Sequence, residues 1–219
     1  MPLILTKKHR HFGKLYVWSL TESREFFYSR LTNRNLSMDH IAEWHPRRQL
    51  EWMAGRFLIS EFQEKDLSKI IVHPEGKVFI KDAEIHLSIS HCEELVGLQL
   101  NQHPVGLDIQ MKTSKLQRVA HKFCSIEDYE MLEQYYSREE ANLICWSMKE
   151  AVFKAYGLGN VNYKDDIRFI AFANDDRRKP TLRFNKKDSS TIEYNGQLSW
   201  LDDYCISQIC KSMSQKKSS

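Results

Sequence analysis

The 219-residue sequence has no apolar run long enough to cross a membrane, since a spanning helix needs about 20 consecutive apolar residues. The opening residues 1–5 are largely apolar, but Lys7 and Lys8 follow almost at once. A secretory signal has the reverse order, with charge first, then a longer apolar stretch and small residues at the cleavage site. We therefore expect a cytoplasmic protein that does not contact membranes.

Cysteine is also sparse, and its five positions are scattered. The number is odd and no Cys-x-x-Cys pair occurs, which argues against a disulfide framework and against a structural zinc site. Reduced thiols are therefore expected at Cys92, Cys124, Cys145, Cys205 and Cys210.

Glycine-rich phosphate loops and a strong positive charge are absent as well. Gly157 and Gly159 are not followed by the Lys-Ser/Thr pair of a nucleotide-hydrolase loop. The formal net charge of +3 comes from 32 basic and 29 acidic residues that are well mixed along the chain. This balance argues against nucleic acid as a partner, and it fits an acidic protein or a phosphate-rich small molecule.

The first half of the chain predicts helices followed by strands. After a strand at 15–20, Thr21 could cap a first helix, and Pro46 suits the first turn of a second. Apolar residues at three- and four-residue steps carry the second helix to Phe62. Short strands in close succession, which predict antiparallel hairpins, follow at 70–72, 78–80, 85–90 and 95–100, and one more at 105–109 leads into the second half.

The second half repeats that order. Three helices are predicted: one at 114–123, one that begins after a capping box at 125–128, and one at 138–156. Gly157 ends the third. Asn195 with Gly196 predicts a hairpin turn. Strands are predicted at 167–172, 181–184, 191–200 and 204–209.

This repeated order predicts an α+β fold of two similar halves, at residues 1–104 and 105–210, followed by a disordered basic tail at 211–219. The halves would meet near residues 101–110, and a cleft between them is a natural ligand site.

Two carboxylates are candidates for chemistry near that junction. Asp108 ends an apolar strand, where it could bind a metal, cap a turn or pair with an arginine. Glu150 shares one helical face with Trp146 and Lys154, because the three are spaced by four residues. A surface Glu–Lys pair is the alternative for Glu150 and Lys154, but the tryptophan on the same face argues against a solvated stripe.

Phosphate-binding candidates lie in two other segments. Ser90 and His91 end a predicted strand, where a hydroxyl beside an imidazole suits a phosphate group and a structural histidine is the alternative. Arg47 and Arg48 stand at a predicted helix start, where both the helix end and the guanidinium favour anions. A solvated helix face is the alternative there.

Taken together, these segments resemble the 4′-phosphopantetheinyl transferases, in particular their larger, single-chain type. The resemblance covers about residues 40–160, and its most specific part is 146–154. It implies a pseudo-twofold fold of two α+β halves, with coenzyme A and the active site between them. The matching segments are 47–56, 76–77, 87–91, 105–109, 122–129 and 146–154.

The resemblance also implies a magnesium-dependent transfer of phosphopantetheine from coenzyme A to a carrier-protein serine. In this reading Asp108 and Glu150 hold Mg²⁺, which needs only a few protein oxygens beside water and phosphate. Glu150, or a water it orients, would be the base for the serine. Lys154 would stabilise charge on the transferring phosphate.

The resemblance assigns coenzyme A to further residues of both halves. Ser90 and His91 would hold its 3′-phosphate, helped by Arg47, and Lys77 would lie along the nucleotide. Lys149 would either contact phosphate or orient its helix.

One residue departs from the family in a way that bears on the chemistry. Gln110 stands where family members often carry a second carboxylate. Its amide oxygen could still bind the metal or a metal-bound water, but it brings no charge. A catalytically silent coenzyme A-binding or carrier-protein-docking module is therefore the alternative function.

The partner implied by the resemblance is an acyl or peptidyl carrier protein, and the expected state is a monomer, since the second half replaces a partner subunit. Carrier proteins of this class are generally acidic. Candidate contacts near the helix after Ser125 are therefore Lys115, Arg118 and Lys122, with solvated lysines as the alternative.

Overall fold

The computed structural model describes residues 2–74, 76–157, 159–186, 188 and 190–212. Its first sheet has four antiparallel strands in the order β1-β2-β6-β5. These strands are β1 (Leu3–His9), β2 (Gly13–Ser19), β5 (His86–Cys92) and β6 (Leu95–Asn101). A separate hairpin joins β3 (Ile70–Val72) to β4 (Val78–Ile80).

Two helices cover the first sheet, α1 (Arg24–Leu31) and α2 (Pro46–Phe62). The helix α2 begins at Pro46 as predicted, and the His45 side chain accepts a hydrogen bond from the backbone of Arg47. Their shared core is aromatic, and the rings of Tyr16 and Phe62 stack with centroids 3.8 Å apart.

The second sheet has five strands in the order β7-β11-β10-β9-β8. These strands are β7 (Val105–Met111), β8 (Ile167–Phe172), β9 (Pro180–Asn185), β10 (Thr191–Leu201) and β11 (Tyr204–Lys211). The accompanying helices are α3 (Lys115–Val119), α4 (Ile126–Leu132), α5 (Arg138–Tyr156) and α6 (Tyr163–Asp166). The predicted capping box at Ser125 and the predicted bounds of α5 are confirmed.

The fold is therefore α+β with two sheet-bearing halves, as predicted. The sheets divide between β6 and β7, although the boundary at residue 104 between two domains stays a prediction. No helix in the described part of the chain is long and apolar enough to cross a bilayer.

The two sheets meet where the edge strands β5 and β7 run side by side. Three alternate side chains of β5 accept hydrogen bonds from backbone N–H groups of β7, so these contacts join the two strands without a backbone ladder. The three pairs are Ser88 with Leu107 at 2.9 Å, Ser90 with Ile109 at 3.0 Å and Cys92 with Met111 at 3.2 Å.

Gly106 brings α5 directly onto β7. A Cβ at this position would lie 1.8 Å from the carbonyl oxygen of Ala151, so only glycine fits. Asp108 follows two residues later on the same face of β7. The close approach therefore sets the distance between Asp108 and the side chains of α5.

We expect Gly106→Ala to destabilise the protein by about 3 kcal/mol, because the obstacle is helix backbone that cannot rotate aside. Urea unfolding followed by circular dichroism measures this loss. Gly55→Ala is the matched control, because its nearest neighbour is the movable Cγ2 of Ile89 at 3.2 Å. Equal stability losses in the two variants would contradict the expectation.

Several predicted boundaries are corrected. The edge strand β1 was not predicted, and Ser23 rather than Thr21 caps α1. The strand β5 continues through His91 and Cys92 instead of ending before them. The helix predicted at 114–123 is a short α-helix followed by a 3₁₀ turn.

The predicted hairpin turn at Asn195 and Gly196 is wrong. Both residues lie inside β10, and the chain reverses instead at Asp202, which has a φ of 49°. A Cβ on Gly196 would lie 2.9 Å from the Cγ of Pro180. This glycine therefore provides close packing rather than a turn.

The predicted disordered tail lies mostly outside the described residues. Lys211 is the last residue of β11, and the backbone N–H of Ser212 donates to the carbonyl of Glu193 at 2.8 Å. Residues 213–219 are not described, so their predicted disorder stays a prediction.

Candidate active site

Asp108, Lys154 and Ser90 form the centre of the site, although they come from β7, α5 and β5. Lys154 Nζ lies 2.8 Å from Asp108 Oδ1 and 3.1 Å from Ser90 Oγ. The Ser90 hydroxyl donates to the same Asp108 oxygen at 3.2 Å. These contacts bring three predicted residues together, and they link the two sheets at that point.

One carboxylate oxygen of Asp108 has no hydrogen-bond partner within the described chain. The residue is 6% exposed, and its Oδ2 is buried without a hydrogen-bond partner there. A buried carboxylate oxygen without a partner is energetically costly. Such an atom suits a site that a ligand completes.

Glu150 is the second carboxylate of the site. Burial raises the pKa of this carboxyl group; the Lys154 charge lowers it, while the Asp108 charge raises it further. The Tyr163 hydroxyl donates to Glu150 Oε1 at 3.0 Å. Sequence reasoning missed Tyr163. It follows Glu150 by 13 positions and lies beyond the end of α5, so helical spacing cannot predict this contact.

A cleft of about 220 Å³ opens beside this centre. Lys77 borders it, and its Nζ donates to the carbonyl of Ala155 at 2.7 Å, near the carboxyl end of α5. Burial lowers the pKa of Lys77. The cleft is lined by Gly76, Lys77, Val78, Leu87, Ser88, Ile89, Glu150, Phe153, Lys154 and Gly157.

A second groove, of about 580 Å³, also borders Glu150. Glu150 and Phe153 line both spaces, so they form a shared wall. Lys122, a predicted carrier-protein contact, also lines this groove. Its apolar members are Val119, Phe123, Trp146, Val161 and Tyr163.

Arg47 and His91 are brought together by a residue that sequence reasoning did not single out. Arg47 Nε donates to Glu51 Oε1 at 2.9 Å, and His91 Nδ1 lies 3.2 Å from Glu51 Oε2. Partial burial lowers the pKa of His91, the Glu51 charge raises it, and the Lys154 charge lowers it again. His91 is therefore within electrostatic reach of the Lys154 centre.

Lys149 does not face the cleft, which corrects its assignment as a phosphate ligand. Its side chain is fully buried, and Nζ lies 2.5 Å from Asp128 Oδ2. It also donates to the carbonyls of Phe123 and Tyr163, each at 2.9 Å. All three ammonium donors are used inside the protein, and this arrangement fits the other predicted role, orienting the helix.

The carboxylate oxygens of Asp108 and Glu150 are suitable ligands for a magnesium ion whose remaining ligands come from elsewhere. In the described part of the chain, no cluster of three or more His, Cys, Asp or Glu residues could hold a metal. Magnesium is typically bound through one or two carboxylates, with water and phosphate oxygens completing the shell. Gln110 lies on the same face of β7 as Asp108, and its amide nitrogen donates to the Met111 carbonyl at 3.4 Å.

The fold and the site define an α+β protein with two sheet-bearing halves and a cleft lined by Glu150 and Lys154, with Asp108 paired to Lys154. Residues 104–209 match the family model of the 4′-phosphopantetheinyl transferase superfamily. The family resemblance stated from the motifs is therefore confirmed, and the matching segment contains Asp108, Glu150 and Lys154.

Two relatives carry the same family name. The chain is 31% identical to the 4′-phosphopantetheinyl transferase gsp of Aneurinibacillus migulanus over 121 residues, which is 53% of this chain and 48% of the relative. It is 32% identical to the 4′-phosphopantetheinyl transferase psf-1 of Bacillus pumilus over 109 residues, which is 48% of this chain and 47% of the relative. The matches thus span about half the length of these relatives.

Proposed function

We propose that this protein transfers the 4′-phosphopantetheine group of coenzyme A to a serine of an acyl or peptidyl carrier protein and releases 3′,5′-ADP. The observation that carries the proposal is the cluster of Asp108, Glu150 and Lys154, of which Glu150 and Lys154 line the cleft and Asp108 contacts Lys154. The family match and the relatives' names support the same activity.

In this reaction the serine oxygen forms a bond to the phosphorus that carries the pantetheine arm. The bond from that phosphorus to the bridging diphosphate oxygen breaks, and the electron pair leaves with 3′,5′-ADP. Glu150, or a water that it orients, takes the serine proton. Its raised pKa makes the carboxylate a stronger base than an exposed glutamate.

Lys154 supplies a positive charge beside Asp108 and within electrostatic reach of Glu150. Two of its donors contact Asp108 and Ser90, so among the described residues one ammonium hydrogen is left for a phosphate oxygen. A charge held in place before the reaction stabilises developing negative charge without reorganising. We therefore assign Lys154 to the transferring phosphate.

Magnesium is the proposed cofactor; Asp108 and Glu150 would hold it, and Gln110 is the candidate for a third ligand. When bound, it would neutralise charge on the diphosphate. The buried, unpartnered Oδ2 of Asp108 supports this assignment.

The remaining basic residues are assigned to coenzyme A itself. We place its 3′-phosphate near His91, Arg47 and Ser90, and the nucleotide along Lys77. Since the Ser90 hydroxyl already contacts the Ile109 N–H, Lys154 and Asp108, its contribution is to position neighbours as much as to bind phosphate.

The groove beside Glu150 is the proposed approach for the carrier serine. Glu150 lines both this groove and the cleft, so we propose that the base meets the serine from the groove while coenzyme A occupies the cleft. Lys122 at its rim suits an acidic carrier. We further propose a monomer acting in the cytoplasm.

The test is the intact mass of an apo acyl carrier protein after incubation with this protein, coenzyme A and Mg²⁺. We expect a gain of one phosphopantetheine group and the appearance of 3′,5′-ADP. Measurable coenzyme A binding with no mass gain on several unrelated carriers would favour the silent binding module that Gln110 suggests. Absence of coenzyme A binding would overturn the proposal.

A further inference from the structure

Glu51 joins two basic residues that come from different elements. Each carboxylate oxygen contacts one of them, Arg47 Nε at 2.9 Å and His91 Nδ1 at 3.2 Å. The Glu51 side chain is only 15% exposed, whereas those of Arg47 and His91 are 39% and 52% exposed. A largely buried acid therefore holds two more exposed bases.

Both bases keep donors for a ligand. The terminal amino groups of Arg47 and the Nε2 of His91 have no hydrogen-bond partner among the residues that the structure describes. His91 also feels the charge of Lys154. Three basic groups therefore border the same end of the site, and two of them are fixed by Glu51.

A carboxylate beside an anion site has two opposing effects. Its charge repels phosphate, which weakens binding. It also restrains an arginine in the first turn of α2 and a histidine near the end of β5, which would otherwise lose rotamer freedom when a ligand binds. Each Glu51 oxygen contacts one base and so holds it in one orientation. We therefore expect this restraint to favour phosphate binding more than the Glu51 charge opposes it.

We propose that Glu51 is a positioning residue that holds Arg47 and His91 in the arrangement that receives the 3′-phosphate of coenzyme A. This inference rests on the proposed function, since it takes coenzyme A as the ligand. Glu51 itself does not touch the phosphate; it acts through the two bases.

Isothermal titration of coenzyme A and of dephospho-coenzyme A, which lacks the 3′-phosphate, tests this role without any carrier protein. We expect Glu51→Ala to weaken coenzyme A binding about tenfold, the size of one charge-assisted hydrogen bond, and to leave dephospho-coenzyme A binding nearly unchanged. Glu61→Ala is the matched control, because Glu61 lies on the same helix and pairs with Arg34 at 3.1 Å. It should change neither affinity.

A second background distinguishes positioning from a general effect on α2. In Arg47→Ala/His91→Ala, adding Glu51→Ala should weaken coenzyme A binding no further. Equal losses for both ligands, tighter coenzyme A binding in Glu51→Ala, or a full further loss in that background would each overturn the inference. If the unaltered protein binds no coenzyme A, the proposed function fails instead. Thermal melting of each variant confirms that it is folded.

Discussion

Glu150→Gln should reduce the rate of phosphopantetheine transfer by about 10²–10⁴-fold, the usual contribution of a general base. The amide keeps the shape of the side chain and can still accept the Tyr163 hydrogen bond. It cannot take the serine proton, and it offers the proposed magnesium site no charge. The rate is measured from the mass gain of the carrier protein under single-turnover conditions.

The control for this variant is Glu139→Gln. Glu139 lies at the other end of the same helix and lines neither the cleft nor the groove. Its rate should match that of the unaltered protein. Glu150→Gln should still bind coenzyme A, because the coenzyme A contacts proposed for Arg47, His91 and Lys77 remain. A Glu150→Gln rate within about threefold of normal would remove Glu150 from the role of base, given the size expected of one.

Much of this site could be predicted because its members follow a regular pattern. The four-residue spacing of Glu150 and Lys154 places both on one face of a helix, and the helix has the predicted bounds. Asp108 was predictable from its place on an apolar strand. The family resemblance then connected the strand with the helix, which periodicity alone cannot do.

Residues whose roles depend on distant contacts were assigned wrongly or missed. Lys149 is adjacent to Glu150 in sequence but lies on a different face of α5, where Asp128 contacts it from 21 positions away. Glu51 reads as an ordinary helix-surface acid until β5 brings His91 to it. Only the folded arrangement shows these pairs, because local patterns carry no information about them.

The fold shows the same division between local and distant causes. Capping at Ser125 and the end of α5 at Gly157 are local, and they were predicted. The strand β1 was missed because its alternation is weak and most of it is exposed at the sheet edge. Gly196 resembles a turn residue, but its reason is the approach of Pro180.

Lys149→Met should lower the free energy of unfolding by about 3–5 kcal/mol, the cost of removing one partner from a buried ion pair. Asp128 would remain buried, since its side chain is 1% exposed. Two of its hydrogen bonds survive, from the backbone N–H groups of Ser125 at 2.9 Å and Phe169 at 3.2 Å. Urea unfolding followed by circular dichroism measures the change.

Lys69→Met is the matched control, because Lys69 pairs with Glu64 at 3.1 Å on the surface, with 48% of its side chain exposed. Surface pairs contribute little, so its unfolding curve should nearly coincide with that of the unaltered protein. If Lys149→Met unfolded at the same urea concentration as Lys69→Met, the buried pair would not be what fixes α5 to α4.

Lys149 also donates to the Tyr163 carbonyl, and the Tyr163 hydroxyl contacts Glu150. Removing the Lys149 ammonium group should therefore loosen the segment that carries Tyr163. Transfer should therefore slow in Lys149→Met even below its unfolding transition, and remain normal in Lys69→Met.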